Sequence, residues 1–562
     1  MRYFYAFLLL CAFAAPVFAQ TWQWAARAGA TAVSGPNASA VSIDDLAISR
    51  DGARLYHTGN FASNVVFGGV TTLTTDTTSF SYDAYIARHG STGNFLWAKQ
   101  LPGQLNSYGS GNGVDADYFG NAVLAGTFVG AVRLDTTMLY SAGGNNYTDI
   151  FLAKIDTTGG VMWVQQAGST LSDGASAVCV DDNNDICMSG YFSGTSVFGS
   201  IIVTPAGTAD MYVAKYNSTG NALWVRTAGG PGSYCSAFSV ATDNSENVYV
   251  LGTFTGSATF FNTTVSSIGS DDLFLAKYDM AGNFQWVQTT GGLSGQVDLT
   301  GLAVDDAGNA YITGYFLDSV MLGTTQLTST GFEDGFLMRY DGNGQFAWAR
   351  QVGGGSTAGN LCNDVCTDAY GAPVVTGVSL YGSSSFGNFT LNVASNSYAP
   401  FVARYDPSGT FLWAIKADEN AGGAWGTQIV SNSSSDYFIG GDFVYTVGWG
   451  TTYLTTASWS SDTYLAKLRD PQTGMEEAHR FSSLNAFPNP ASDRIVIEWP
   501  GGIASAKKEL RLVNALGQQV KIVSGPGSEK NIELDLRDLA AGVYTLMLQA
   551  DEQVFRCVFV RQ

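Results

Sequence analysis

The chain has 562 residues, 67 of them glycine, with 13% aromatic residues, 13% charged residues and a net charge of −20. So many aromatics with so little charge exclude a disordered chain, and the length accommodates more than one domain around a large buried core. The acidic balance excludes nucleic acid as a partner and disfavours anionic membrane surfaces.

Residues 1–19 read as a secretory signal peptide. Arg2 supplies the positive start, Tyr3 to Ala14 the apolar run, and Val17-Phe18-Ala19 the small-residue cleavage pattern before Gln20. The run is too short to span a bilayer comfortably, and no other stretch is apolar enough to do so. Cys11 lacks the small residues before it that a lipoprotein site requires.

From Trp22 to Asp470 one unit recurs, and its clearest copy is Leu302 to Gly354. A short apolar run ends at Asp305, a turn follows through Asn309, and Ala310 to Phe316 is rich in β-formers. After a looser middle come Phe336 to Tyr340, an Asp341–Gly344 turn, and a run around Trp348. Gly and Asn tolerate the left-handed backbone of a tight hairpin, so the unit is predicted as four strands, a to d. Trp24, Trp97, Trp163, Trp224, Trp286, Trp348 and Trp413 mark strand d at spacings of 61 to 73 residues. Strand b carries Gly59, Gly126, Gly190, Gly252, Gly314, Gly377 and Gly440, and strand c carries Arg88, Lys154, Lys215, Lys277, Arg339, Arg404 and Lys467. Seven four-strand units predict an all-β, seven-bladed β-propeller over residues 20–470. The GNAYITG and DLFLAKYD segments resemble the β-propeller repeat of large bacterial surface proteins.

The phase of the markers predicts how the ring closes. Trp24 has no strands a to c before it, and the last unit has no tryptophan after strand c. Trp22 to Arg27 should therefore supply the outer strand of the last blade, which protects two open edges.

Both faces of each blade pack on neighbours, so the tryptophans are expected to fill the spaces between blades rather than stack sugars. Asp83, Asp149, Asp210, Asp272, Asp334 and Asp462 lie five residues before the strand-c cation, on the opposite face, and should not pair with it. Asp117, Asp181, Asp243, Asp305 and Asp368 end strand a, and the whole set reads as a repeated structural network. The turns Asp181–Asp185 and Asp305–Asn309 crowd oxygen ligands, which makes calcium a second reading, though neither completes a twelve-residue loop. No cofactor is otherwise implied. Cys179 and Cys187 flank one a–b hairpin, a placement that suits either a disulfide in an exported protein or two buried thiols. His57, His89 and His479 fall in no metal or nucleophile motif, and no catalytic residue is recognisable. The variable b–c and d–a connections share one rim, where a ligand is expected.

At Asp470-Pro471 the pattern stops. Residues 471–484 read as a linker, and residues 476–562 hold 11 acids and 10 bases against 36 and 17 in the first 475. Strands are predicted at Arg494 to Glu498, Glu509 to Asn514, Asn531 to Leu536, Gly542 to Gln549 and Val554 to Val560, a small Ig-like β-sandwich. Phe487-Pro488-Asn489-Pro490 with Asp493, Asn514 to Gln518 including Gly517, and Leu534-Asp535-Leu536 leading to Gly542-Val543-Tyr544 resemble the type A C-terminal sorting domain of the type IX secretion system. That resemblance implies a domain at 485–562, the secretion machinery as its partner, and passage across the outer membrane to the cell surface or the medium. The propeller would then act by binding: adhesion, recognition of a glycan or protein, or scaffolding. The alternative is a polysaccharide-active enzyme with carboxylates in the channel.

Overall fold

The computed structural model describes residues 20–470 and 481–561, except 29, 32–40, 76–81, 105–106, 270, 291–296, 354–358, 395–396, 420–421, 457–460, 484, 488–489, 499–506, 515–518, 527–530 and 551–552. Among the described residues every regular element is a strand. Chain contacts divide the molecule into two compact units, Gln20–Arg469 and the chain from Asp470 on.

The first unit contains seven four-stranded antiparallel cores, several extended by flanking strands. The fifth is typical: Val297–Val304, Ala310–Phe316, Asp334–Tyr340 and Phe346–Val352 pair in that order, as strands a, b, c and d. Strand a of the seven sheets is Asp45–Ile48, Tyr108–Ala116, Asp173–Val180, Cys235–Thr242, Val297–Val304, Gly359–Thr367 and Gly423–Ser431. In the seventh sheet the outer strand comes from the other end of the unit. Thr21–Arg27 pairs antiparallel with Asp462–Arg469, from Thr21 opposite Arg469 to Arg27 opposite Tyr464.

The b–c connection, expected as a loop, contains a short hairpin in every sheet, such as Ser319–Leu322 with Thr325–Thr328. Its Thr-rich alternation is too brief and polar to stand out in the sequence. Several of these hairpins pair with the extended strand d of the preceding sheet: Ala167 opposite Phe198, Ala228 opposite Phe260, Asp418 opposite Gly448 and Ala30 opposite Val66.

Apolar clusters fill the spaces between consecutive sheets. The third and fourth share Met211, Val213, Val250 and Phe274, while the seventh and first share Phe438, Leu465, Ile43 and Leu55. The tryptophans sit in these seams. Trp97, Trp163, Trp224 and Trp348 donate their indole N–H to turn carbonyls of the following sheet, at Thr157, Ser218, Met280 and Pro407, over 3.1–3.2 Å. The indoles also lie on left-handed c–d turn glycines: a Cβ on Gly282 would fall 2.7 Å from Trp224, and one on Gly344 would fall 2.8 Å from Trp286. The seventh-to-first seam repeats the contact, with Gly93 under Trp24 at 2.7 Å.

The polar network takes the expected form. Each strand-c aspartate caps amides or amide side chains near the entry to its strand; Asp149, for example, accepts from Ala142 N–H and Gln166 Nε2. In four sheets the strand-c cation pairs instead with the aspartate ending strand a, as Lys154 does with Asp117 at 2.8 Å, Lys215 with Asp181 at 2.7 Å and Arg404 with Asp368 at 2.7 Å, while Arg339 donates to Asn309 Oδ1 and Pro407 O. In the seventh sheet Asp436, at the start of strand b, takes that place beside Lys467.

The second unit contains a five-stranded sheet, in the order Phe481–Ser483, Gln553–Arg561, Gly542–Ala550, Lys507–Asn514 and Gln519–Pro526. A three-stranded sheet of Asn485–Phe487, Arg494–Glu498 and Asn531–Asp535 packs on it through Ile495, Ile497, Leu510, Leu512, Leu534 and Leu546. Phe481–Ser483 lies inside the stretch read as a linker, and runs parallel to Gln553–Arg561.

Candidate functional site

The seven a strands line one cavity of about 660 Å³. Strand a has a free edge on this side, so its unpaired amides need acceptors. Three aspartates supply them. Asp45, Asp115 and Asp364 each accept the next amide of their own strand on Oδ1, and on Oδ2 an amide of the following sheet: Val114, Val180 and Ile429, at 2.7, 2.7 and 2.9 Å. Burial raises all three carboxyls, Asp115 to about 6, Asp364 to about 7 and Asp45 well above the usual range.

Strand a also carries a β-bulge, one extra residue opposite strand b. In four seams the bulge side chain donates to the following sheet: Asn112 to Ala175 O, Thr300 to Cys362 O, Asn363 to Gly426 O and Thr427 to Ile43 O. The last bond joins the seventh sheet to the first, as does Gln428 Nε2 to Asp44 O at 2.8 Å. The sequence reading did not single out these residues. Their signal is a polar residue a fixed step before the strand-a terminus, visible only once the repeats are superposed on their bulges.

Asp44 and Asp442 form a second acidic feature, at the seventh-to-first seam. Asp44 accepts from Asn60 Nδ2 at 3.1 Å and is raised by burial. Asp442 is raised to about 7, by burial first and then by Asp44 and Asp462, and its Oδ1 has no hydrogen-bond partner.

Other candidate residues serve the fold. At the first calcium candidate, Asp181 Oδ1 accepts from Asn183 and Asp185 N–H, while the Lys215 ammonium stands against Oδ2; at the second, Asp305 accepts from Ala307 and Asn309 N–H on Oδ1 and from Asn309 Nδ2 on Oδ2. Cys179 and Cys187 lie directly opposite each other as free thiols. His57 and His89 are buried in the first sheet, with their Nε2 atoms 3.4 Å apart, and burial holds both below the usual histidine range, His89 at about 4. His479 lies outside the described residues, as do Pro488, Asn489 and Gly517 of the sorting motif. Pro490 and Asp493 are exposed. Asp493 O accepts Leu536 N–H at 2.8 Å, Gly542 opens its strand, and buried Tyr544 donates its hydroxyl to Ala540 O at 2.8 Å. Asp493 and Tyr544 therefore brace the turn between Asn531–Asp535 and Gly542–Ala550.

Residues 485–560 match the family model of the secretion system C-terminal sorting domain. The chain carries that sorting domain. Residues 285–315 match the beta-propeller repeat. The sorting domain implies interaction with the secretion machinery and export across the outer membrane. No helix of the described residues is long and apolar enough to cross a membrane.

An uncharacterized WD repeat-containing protein of Acanthamoeba polyphaga mimivirus is 22% identical over 435 residues, 64% of this chain and 31% of that protein. The regulatory protein FlaEY of Caulobacter vibrioides is 24% identical over 280 residues, 46% of this chain and 28% of its own length. The chain thus spans about three tenths of the curated relatives it matches. Among solved structures, a gluconolactonase from Xanthomonas campestris is similar at 12% identity and a TM-score of 0.27, covering 62% of this chain and 90% of that one. A puromycin hydrolase is similar at 12% identity and a TM-score of 0.37, covering 82% of this chain and 59% of that one. At these values neither likeness bears on chemistry.

Proposed function

We propose that the chain is an exported, closed seven-bladed β-propeller that acts by binding a glycan or protein at the cell surface or in the medium. In this reading residues 1–19 are a signal peptide, 20–470 the propeller, 471–484 a linker and 485–562 the type IX sorting domain. Ring closure is supported by Thr21–Arg27 in the seventh sheet and by the seam bonds from Thr427 and Gln428 to the first. The observation that carries the binding role is the use of Asp45, Asp115 and Asp364: each is saturated by two main-chain amides, which suits a rigid scaffold better than proton transfer. Full-length protein run against a glycan array and a polysaccharide panel tests this. Specific retention without turnover supports it, and release of reducing ends overturns it. Removal of residues 485–562 should leave the chain in the periplasm; unchanged export would refute the delivery route.

Asp442 favours a second reading, a polysaccharide-active enzyme. A carboxyl raised to about 7 with one oxygen unpartnered suits a general acid, and Asp44 beside it suits a base. Under that reading Asp442→Asn abolishes reducing-end release while retention persists.

A further inference from the structure

One backbone slot repeats at the entry to the b–c hairpin. The residue there is left-handed in six sheets: Ser63, Gly130, Gly256, Asp318, Tyr381 and Tyr445, with φ between 55° and 73°. Hydrogen bonds pin the slot, in three sheets by a reciprocal pair to a Ser or Thr and in the sixth by a main-chain carbonyl. Ser63 exchanges bonds with Thr75, Gly256 with Ser267 and Tyr445 with Thr456, while Tyr381 N–H donates to Ser397 O at 2.9 Å. Small or turn-forming residues suit this conformation, and a bulky aromatic is an outlier in it. Only the sixth and seventh sheets place one there. A strained residue repeated in adjacent sheets points from structure toward function.

The strain puts two rings on one surface. Tyr381 is 50% exposed and Tyr445 is 37% exposed. Between the two sheets lie Tyr398 and Trp425, with ring centroids 4.2 Å apart and planes 34° from parallel. Tyr381 meets Tyr398 edge-on at 6.5 Å. Ser397, which accepts from Tyr381 N–H, donates its hydroxyl to Gly422 O at 3.2 Å. A Cβ on Gly422 would fall 2.3 Å from Val444 O and 2.7 Å from Thr446 N, which sets the backbone of Tyr445 beside the same group. Burial raises the Tyr398 phenol, and the Tyr381 and Tyr445 phenols raise it further. Tyr398 lies on bare backbone, since a Cβ on Gly423 would fall 2.2 Å from its ring.

We propose that Tyr381, Tyr398, Trp425 and Tyr445 form the glycan subsite of this protein, and that the ligand is a neutral pyranose polysaccharide. The inference rests on the binding reading above. Ring faces suit the C–H faces of a pyranose, and the phenol hydroxyls suit its hydroxyls. A net charge of −20 disfavours a uronate or sulfated chain. Four rings fall far short of the ~800 Å² per partner that a stable protein interface buries.

The other sheets supply the test, because they show which residues the slot accepts. Full-length Tyr381→Ser/Tyr445→Ser carries the residue found at Ser63 and is compared with the native chain by affinity electrophoresis. The gels contain hydroxyethyl cellulose, xylan, mannan or starch, with alginate as the acidic comparison. The expected result is retardation by a neutral polysaccharide that weakens about tenfold or more in the double variant, with a Tm equal to or above native. Tyr445→Gly, carrying the residue found at Gly256, repeats the measurement should the double variant not fold. Native retardation that the variants leave unchanged overturns this subsite and spares the binding reading. Retardation by alginate alone, or capture of a peptide in place of any polysaccharide, overturns the ligand class. Absence of all retention overturns the glycan-binding reading and the subsite with it.

Discussion

Gly93→Ala probes whether the seventh-to-first seam bears the same load as the others. Gly93 has φ of 80°, where an L side chain costs about 1–2 kcal/mol. Its new Cβ would fall 2.7 Å from Cε3 of Trp24, so the indole must also move. Displacing a packed ring adds about 1–3 kcal/mol, for a total of about 2–5 kcal/mol. Gly344→Ala is the internal control, with φ of 78° and its Cβ 2.8 Å from Trp286. Denaturant unfolding of both full-length variants, followed by tryptophan fluorescence, should give equal losses. If Gly344→Ala shows the full loss and Gly93→Ala only about 1–2 kcal/mol, the backbone share alone, then Trp24 carries no load and the ring argument fails.

Four further outcomes are expected. Lys215→Met should cost about 3–5 kcal/mol by stranding a buried Asp181, and adding Asp181→Asn should restore most of it in a double-mutant cycle; an additive double variant would contradict this. Asp364 has a folded pKa of about 7, above its unfolded value of about 3.9, so its contribution is complete below pH 4 and is lost as pH rises through 7. Asp364→Asn should therefore flatten the fall of Tm between pH 5 and 8, where a steeper fall would reverse the assigned sign. His57 and His89, held neutral, act in the opposite direction, their contribution fading as pH drops below about 6.5, for His89 down to about 4. A hydrogen bond with Cys187, and then burial, raises the Cys179 thiol, and burial raises those of Cys235, Cys362 and Cys366, so peptide mapping after native alkylation at pH 8 should find the fully buried Cys235 and Cys362 unlabelled; rapid labelling of either would refute its burial.

The four-strand unit was legible because its signals are local. Asp-x-x-Gly turns, the strand-b glycine and the strand-d tryptophan each answer to a neighbour a few residues away or one repeat away. The lone Trp24 was informative because it broke the phase. The channel was less visible. Asp45 and Asp364 share one position next to the bulge, but Asp115 sits two residues further along, so the linear pattern hides their common task. The strand-c cations were recognisable as a set, whereas their partners required the strand pairing to be known. Tyr381 and Tyr445 were invisible among 27 tyrosines until the backbone slot they share with Ser63 and Asp318 was seen. In the sorting domain, the short strands Phe481–Ser483 and Asn485–Phe487 carry too few residues to show alternation.

Supplying the last sheet from the front of the chain has a temporal consequence. Arg27 meets Asp462 across 435 residues. Bringing such distant ends together costs about 5 kcal/mol in loop entropy, far more than any hairpin within a repeat. The other sheets can assemble as they emerge, while the seventh waits with one edge bare. A molecule moving between compartments thus has a built-in delay: its final stitch is the one joining first-made to last-made, and a partner able to cap that edge would govern when the molecule becomes mature.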